Sequence, residues 1–376
     1  MTSSLVIAES RTQPYVDPNR LVPFIYTPPK VATLVVGGLF GDEGKGKFVS
    51  YLAQYALHVA RAGVGTNAGH TIFFNGVQYK LRMVPSGFTN PSAKLYIGKG
   101  VLVDDGVLTG EVEKLDEYFV ADRLYVDRLC PIIEERHRKA DRTERNKGEL
   151  STTGSGSGTA QLERVKRSDE LRFVKDIQEL QNYVSDVSSL LNEAAKREEP
   201  ILIEGTQGTL ISLYGFDFGE EGMTYPRGVT TKDTTAGSFL SDVGLGPAYV
   251  KDVIVCYKAI PSKVGNGPFP GEVSPDVKEI MKEKGLGEYG TVSGKERRLG
   301  EWNSDIARIG IYANGATQIA LSKIDKRFPG NDGITDYRNL TDEARKFIET
   351  VEDELERPIV LIGTGPNDYD IIDRRN

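Results

Sequence analysis

Gly41-Asp42-Glu43-Gly44-Lys45-Gly46-Lys47 is the stretch that decides the fold. It follows an apolar run, residues 32–36, that reads as a buried β-strand, and it precedes residues 48–57, which read as the first turns of a helix. A strand, a glycine-rich turn and a helix N-terminus together build an anion site. Backbone N–H groups point outward, the helix dipole favours negative charge, and glycine lets the backbone approach phosphate. The spacing fits the phosphate-loop pattern G-x4-G-K, but Phe48 stands where Ser or Thr would hold magnesium. Asp42 also places a carboxylate among phosphate oxygens, which is costly without a metal or a proton to manage. The loop therefore predicts chemistry as well as nucleotide binding.

Outward from the loop, apolar runs at 32–36, 95–97, 201–203, 253–257, 318–321 and 359–362 read as strands. Amphipathic stretches at 108–119, 176–197, 304–313 and 341–356 read as helices. Strands alternating with helices predict an α/β fold, a mostly parallel central sheet with helices on both faces. Ligands then bind beyond the carboxyl ends of the strands, where the glycine-rich motifs fall. Residues 1–30 hold five prolines and no continuous apolar core, so they read as a flexible or surface-draped arm. Residues 31–376 read as a single domain with insertions. The glycine- and serine-rich stretch 150–158 reads as a linker.

Composition narrows the function. With 27% charged residues and a net charge of −7, the chain lacks the basic balance of a nucleic-acid-binding protein. Cys130 and Cys256 form neither a disulfide framework nor a metal spacing. No run approaches the ~18 apolar residues of a membrane span. The expectation is a cytoplasmic protein with no membrane and no direct nucleic-acid partner.

Five further segments carry chemistry. Gly65-Thr66-Asn67-Ala68-Gly69-His70-Thr71 exposes a histidine among small residues, where it can donate a hydrogen bond or a proton to a phosphoryl group. Glu204-Gly205-Thr206-Gln207-Gly208-Thr209 follows a strand, and its glutamine can read a purine edge or cap a turn. Lys323-Ile324-Asp325 also follows a strand; its carboxylate can accept from guanine N–H groups while the lysine stem packs on the base. Thr364-Gly365-Pro366 can close over the same base. Lys295-Glu296-Arg297-Arg298 offers arginines for carboxylate or phosphate, or a solvated charged face.

Together with Leu81-Arg82-Met83-Val84-Pro85-Ser86-Gly87, Thr234-Thr235-Ala236-Gly237 and Gly265-Asn266-Gly267-Pro268-Phe269-Pro270, these segments resemble the adenylosuccinate synthetase family in the family's order, from about Thr33 to the C-terminus. The chain looks most like the compact archaeal form, with the phage branch that makes N6-succino-2-amino-2′-deoxyadenylate as a further possibility. The resemblance implies a P-loop-like synthetase fold. It also implies a ligase that joins L-aspartate to the 6-position of a purine 5′-monophosphate through a 6-phosphoryl intermediate, driven by a nucleoside triphosphate.

By motif, Asp42 is the base and a Mg2+ ligand, with the Gly69 carbonyl as the other. His70 is the general acid, and Lys45 neutralises phosphate charge. The triphosphate lies against Gly41, Glu43, Gly44, Gly46, Lys47, Thr71, Lys323, Asp325, Thr364 and Gly365. The monophosphate meets Asn67, Thr153, Gln207 and Thr230, with Arg167 reaching in from the other subunit of a homodimer. Aspartate meets Val292, Ser293, Arg297 and Arg298.

Three departures surround the monophosphate. Leu39-Phe40 replaces the family's Gln-Trp. Ser293-Gly294-Lys295-Glu296-Arg297-Arg298 replaces Thr-Gly-Arg-Pro-Arg-Arg. Residues 216–227 carry extra length. These favour dGMP as acceptor, which would place the enzyme in a phage 2-aminoadenine pathway in host cytoplasm. Retained Asp42 points the other way, to IMP and adenylosuccinate. The donor is GTP by Lys323 and Asp325, or ATP or dATP if the two sites avoid a shared base. A GTPase switch is the rival reading.

Overall fold

The computed structural model describes residues 27–143, 152–290 and 294–375. Most of the proposed arm lies outside these residues, as do Leu150, Ser151, Val292 and Ser293.

The apolar run before the phosphate loop forms the strand Ala32–Gly37, near the middle of a ten-stranded sheet. Ile201–Glu204 and Val250–Lys258 flank it, both parallel. Outside the first come His58–Arg61, Lys94–Ile97, Leu124–Asp127 and Val184–Ser185. Outside the second come Gln318–Ser322, Ile359–Gly363 and Ile371–Asp373, and only this last edge strand runs antiparallel. Burial on both faces explains why the central strands read as unbroken apolar runs. Leu34 and Val36 join one core with the Val187–Lys196, Ala236–Val243, Ser304–Asn314 and Asp342–Leu355 helices. Val35, pointing the other way, joins a second core with the Lys45–Leu52 and Asp105–Lys114 helices.

All six expected strands are present, and four short ones of the ten-stranded sheet, with polar or charged members, escaped the sequence reading, as did the Ser262–Lys263/Arg298–Leu299 pair. The hairpin His70–Phe74/Val77–Leu81 was also unforeseen. Three helix expectations need correction. The first helix starts earlier, at Lys45, and is already 3-10 by Ala53–Tyr55. The 108–119 stretch is the Asp105–Lys114 helix followed by a separate 3-10 turn. The 176–197 stretch is not continuous: 3-10 turns lead into the Val184–Ser185 strand before the Val187–Lys196 helix. Asp186 marks that boundary, its side chain accepting from the Ser189 amide as an N-cap. The supposed linker is a wall rather than a tether, because Ser155, Gly156 and Ser157 are buried and Ser157 starts a helix. Among the described residues, no helix is long and apolar enough to cross a membrane.

Candidate functional site

The carboxyl ends of the central strands open into one cleft of about 1000 Å³. Its floor is the phosphate loop, with Gly41, Asp42 and Gly44 at φ of 94°, 68° and 82°. The loop is braced from below. Glu43 is wholly buried; its carboxylate accepts from the Gly41 amide (2.6 Å), the Leu39 amide (3.2 Å) and Lys45 Nζ (2.7 Å). Ser322, which ends a neighbouring strand, donates to the Glu43 carbonyl at 3.0 Å. The 204–209 loop lies so close that a Cβ on Gly208 would fall 2.3 Å from the Gly41 nitrogen.

Asp42 sits at the centre of a charged cluster. Its Oδ2 is 3.4 Å from Arg297 Nη1, and about a third of its side chain is open to the cleft. The enclosure around it raises the energy of its carboxylate, but Arg297, Lys258, Lys45 and Lys323 outweigh that and hold its pKa below the ordinary value. Arg297 is itself pinned: Nε donates to Ser262 Oγ (2.6 Å) and Nη2 to the Gly41 carbonyl (3.2 Å). Lys258 ends the Val250–Lys258 strand, and its ammonium bonds both Ser262 Oγ and Glu288. Asp42 is thus an ionised carboxylate with matched counter-charges, as a base requires.

His70 faces the cleft across from the loop. Its Nδ1 bonds Glu204 Oε1, while its Nε2 is buried and has no partner. Glu204 is fully buried at the end of its strand, pairs with Arg61 Nη1 (3.1 Å), and accepts from the Ser86 amide (2.7 Å) and hydroxyl (2.6 Å). Burial opposes its charge, but His70, Arg61 and Ser86 together pull its pKa down to about 2. Burial also lowers the pKa of His70, despite the pull of Glu204. The two directions are compatible: Arg61 already neutralises Glu204, so the imidazole stays neutral and the carboxylate ionised. With Nδ1–H given to Glu204, His70 Nε2 presents a lone pair to the cleft.

At one end of the cleft, Gln207 Nε2 and Asn67 Nδ2 converge on Thr230 Oγ1 at 3.0 and 3.4 Å. Gln207 Oε1, Asn67 Oδ1 and Thr231 Oγ1 there are buried without partners. The N-terminus of the Ser157–Lys166 helix opens into the same end, flanked by Thr152, Thr153, Ser155 and Ser157. Asp141 holds this turn by accepting from Thr152 Oγ1 (3.0 Å) and the Gly156 amide (3.1 Å). At the opposite end, Lys323, Asp325, Gly365 and Pro366 line the wall.

Most expected residues therefore share one cleft: Gly41, Asp42, Gly44, Lys45, Gly46, Lys47, Asn67, Gly69, His70, Thr71, Thr153, Gln207, Thr230, Arg297, Lys323, Asp325 and Gly365. Three, Glu43, Thr364 and Arg298, need correction. Glu43 lies beneath the loop as its brace. Thr364 is buried, with its hydroxyl donating to the Ile334 carbonyl at 2.7 Å. Arg298 pairs with Glu272 and donates to the Gly265 and Gly267 carbonyls, so it shapes the wall from behind. Arg167 is exposed beyond the helix end and does not line its own chain's cleft. Val292 and Ser293 lie outside the described residues.

Sequence reasoning missed Lys258, Ser262, Glu288 and Lys263. The one available signal was a lysine closing an apolar strand. Lys263 lines the cleft 5.8 Å from the Phe40 ring centre, and burial pushes its pKa down to about 8.

Asp42 and Gly69 both line the cleft, and the donors they can offer, a carboxylate and a backbone carbonyl, are oxygens. They suit magnesium, which takes one or two carboxylates and completes its shell with substrate phosphates and water.

Comparison with known proteins places this cleft in context. Residues 34–177 and 170–328 match the family model for adenylosuccinate synthetase. The chain is 48% identical over 347 residues to the adenylosuccinate synthetase of Methanocaldococcus jannaschii, covering 92% of this chain and 97% of that one. It is 46% identical to that of Thermococcus onnurineus, covering 91% and 98%. In fold it is similar to fully ligated adenylosuccinate synthetase from Plasmodium falciparum, with a TM-score of 0.82 and 24% identity over 92% of this chain and all of that one. It is also similar to cyanophage S-2L succinoaminodeoxyadenylate synthetase bound to dGMP and dATP, with a TM-score of 0.73 and 24% identity over 93% and 96%.

Proposed function

The chain belongs to the adenylosuccinate synthetase family, C–N-forming ligases that use a nucleoside triphosphate, aspartate and a purine nucleotide, and we propose that it converts IMP to adenylosuccinate with GTP as donor. The observation that carries the reaction class is the ionised Asp42 set among Arg297, Lys258 and Lys45, opposite the unpartnered Nε2 of His70.

Asp42 takes the proton from N1 of the purine. The 6-oxygen then forms a bond to the γ-phosphorus as the bond to the β,γ-bridging oxygen breaks. Lys45 and the loop amides balance the charge on the transferring group. The negative charge of a triphosphate raises the proton affinity of His70 Nε2, and Glu204 steadies the imidazolium, so the lone pair of the free enzyme becomes a donor. The aspartate amine then bonds to C6 and the phosphoryl oxygen leaves as phosphate. Magnesium, held by Asp42 and the Gly69 carbonyl, would neutralise charge on the phosphates.

Packing argues for IMP over dGMP. Phe40 meets Phe218 of the 216–227 stretch edge-on at 6.4 Å and Phe269 at 5.1 Å. Two of the three departures are therefore one packing unit, which needs no change of substrate. The remaining departure, in the 293–298 stretch, is pinned at the surface through Glu296, which pairs with Lys278 (3.0 Å) and Lys282 (2.7 Å). The high identity to enzymes named adenylosuccinate synthetase supports the same acceptor. GTP is favoured because the recessed Asp325 carboxylate suits guanine N–H donors and repels the N1 lone pair of adenine.

Arg167, exposed on its own chain, serves the cleft of a second copy. Mixing inactive Arg167→Leu and Asp42→Ala chains then restores part of the turnover, and no restoration would remove Arg167 from the reaction. The test of the reaction itself is phosphate release from GTP with magnesium. The ligase requires both IMP and aspartate for release. Release indifferent to aspartate would instead make the chain a GTPase.

A further inference from the structure

Lys47 lies in the first turn of the Lys45–Leu52 helix, but its ammonium is committed to another part of the molecule. It donates to the Gly365 carbonyl at 2.5 Å and the Asp370 carbonyl at 2.8 Å. These carbonyls mark the two ends of the loop that joins the Ile359–Gly363 and Ile371–Asp373 strands. The loop is closed on itself. The Thr364 amide donates to the Asp370 carbonyl at 2.9 Å, and the Asn367 amide and side chain both donate to the Asp370 carboxylate at 2.9 Å. Gly365 and Pro366 in this loop line the cleft with Lys323 and Asp325. Among the described residues, Lys47 forms no ion pair with a carboxylate. Burial pushes its pKa down to about 8. A neutral side chain would fill this space at lower cost, so the long reach and the charge-assisted donors are what the position uses.

We propose that Lys47 is a positioning residue for the donor base, tying the 365–370 loop to the phosphate-loop helix and thereby setting the enzyme's choice between guanine and adenine triphosphates. This rests on the reading that the triphosphate occupies this end of the cleft. It differs from a phosphate contact, because the lysine acts on the base through the loop. Ser322, at the end of the Gln318–Ser322 strand and next to Lys323, adds a separate tie to the phosphate loop through the Glu43 carbonyl.

The test compares the intact wild-type chain with Lys47→Met and Asp370→Ala. The readouts are kcat and KM for GTP and for ATP, and inhibition by tripolyphosphate, which has the phosphates and no base. In Lys47→Met the KM for GTP is expected to rise about tenfold or more, and the preference between GTP and ATP to fall by about fivefold. Inhibition by tripolyphosphate and the KM for IMP move by less than about twofold. Asp370→Ala, which loosens the loop from its other end, reproduces the lost preference, and it carries the test if Lys47→Met does not fold. Equal weakening of GTP, ATP and tripolyphosphate would overturn the proposal and make Lys47 a phosphate contact. Unchanged constants in both variants would overturn it as well. A wild-type enzyme that turns over neither triphosphate would sink the ligase reading instead.

Discussion

The two ends of the cleft are built differently. At the donor end most polar groups are satisfied by the protein itself, Asp368 Oδ2 being an exception: Glu43 by Lys45 and two amides, Lys47 by two carbonyls, Ser322 by the Glu43 carbonyl. At the acceptor end, buried atoms wait without partners: Asn67 Oδ1, Gln207 Oε1 and Thr231 Oγ1. A buried polar atom without a partner costs roughly 1–3 kcal/mol, which a ligand's hydrogen bonds can recover. The donor end is therefore a finished scaffold, and the acceptor end is finished by its substrate. Substitutions at the first should cost stability, and those at the second should cost affinity.

The chemistry lies between the ends, and there the effect is largest. Asp42→Ala is expected to lower kcat by about 10⁴-fold, and His70→Asn by about 10²–10⁴-fold, with the fold intact by circular dichroism. Near-wild-type turnover in either would remove that residue's role. Next, Glu43→Gln breaks a buried ion pair and should destabilise the protein by about 3–5 kcal/mol in urea unfolding. An unshifted midpoint would show that the donor end is not braced as described.

Glu204 gives a pH signature. Its pKa falls from an ordinary 4.5 to about 2 on folding. Its stabilisation, roughly 3 kcal/mol at most, is fully present above pH 4.5 and lost as pH falls through about 2. Glu204→Gln should flatten the loss of stability below pH 4.5, and an identical acid limb in both proteins would mean that Glu204 is not held ionised. The smallest effect belongs to Gln207→Ala, which should raise the KM for the monophosphate by about 1–2 kcal/mol in binding terms and leave stability nearly unchanged. A large stability loss there would erase the contrast between the two ends.

The same contrast explains what the sequence disclosed. The donor end was legible because its demands are local. A loop around phosphate needs glycines in sequence, and a strand buried on both faces is an apolar run. The expectation that Asn67, Gln207 and Thr230 share one site comes through family motifs, since nothing local says that they meet. Lys258, Ser262 and Glu288, which gather around Arg297, were invisible, because the cluster joins a strand end to separate loops. The 176–197 stretch read as one helix because its amphipathic pattern hides Asp186, whose capping side chain starts the helix late. The three departures read as a changed substrate because the contact between Phe40 and Phe218 is tertiary. In the folded chain, the first and third departures are neighbours that pack on each other.

The central claim is an acceptor site finished by IMP. The most direct measurement is a competition: equimolar IMP and dGMP with limiting GTP, aspartate and magnesium, and the succinyl products separated by mass. The account predicts adenylosuccinate in at least about tenfold excess, the discrimination expected when one buried hydrogen-bonding group is mismatched. Equal products, or an excess of the 2-amino-2′-deoxy product, would contradict it and restore the changed-substrate reading of the departures.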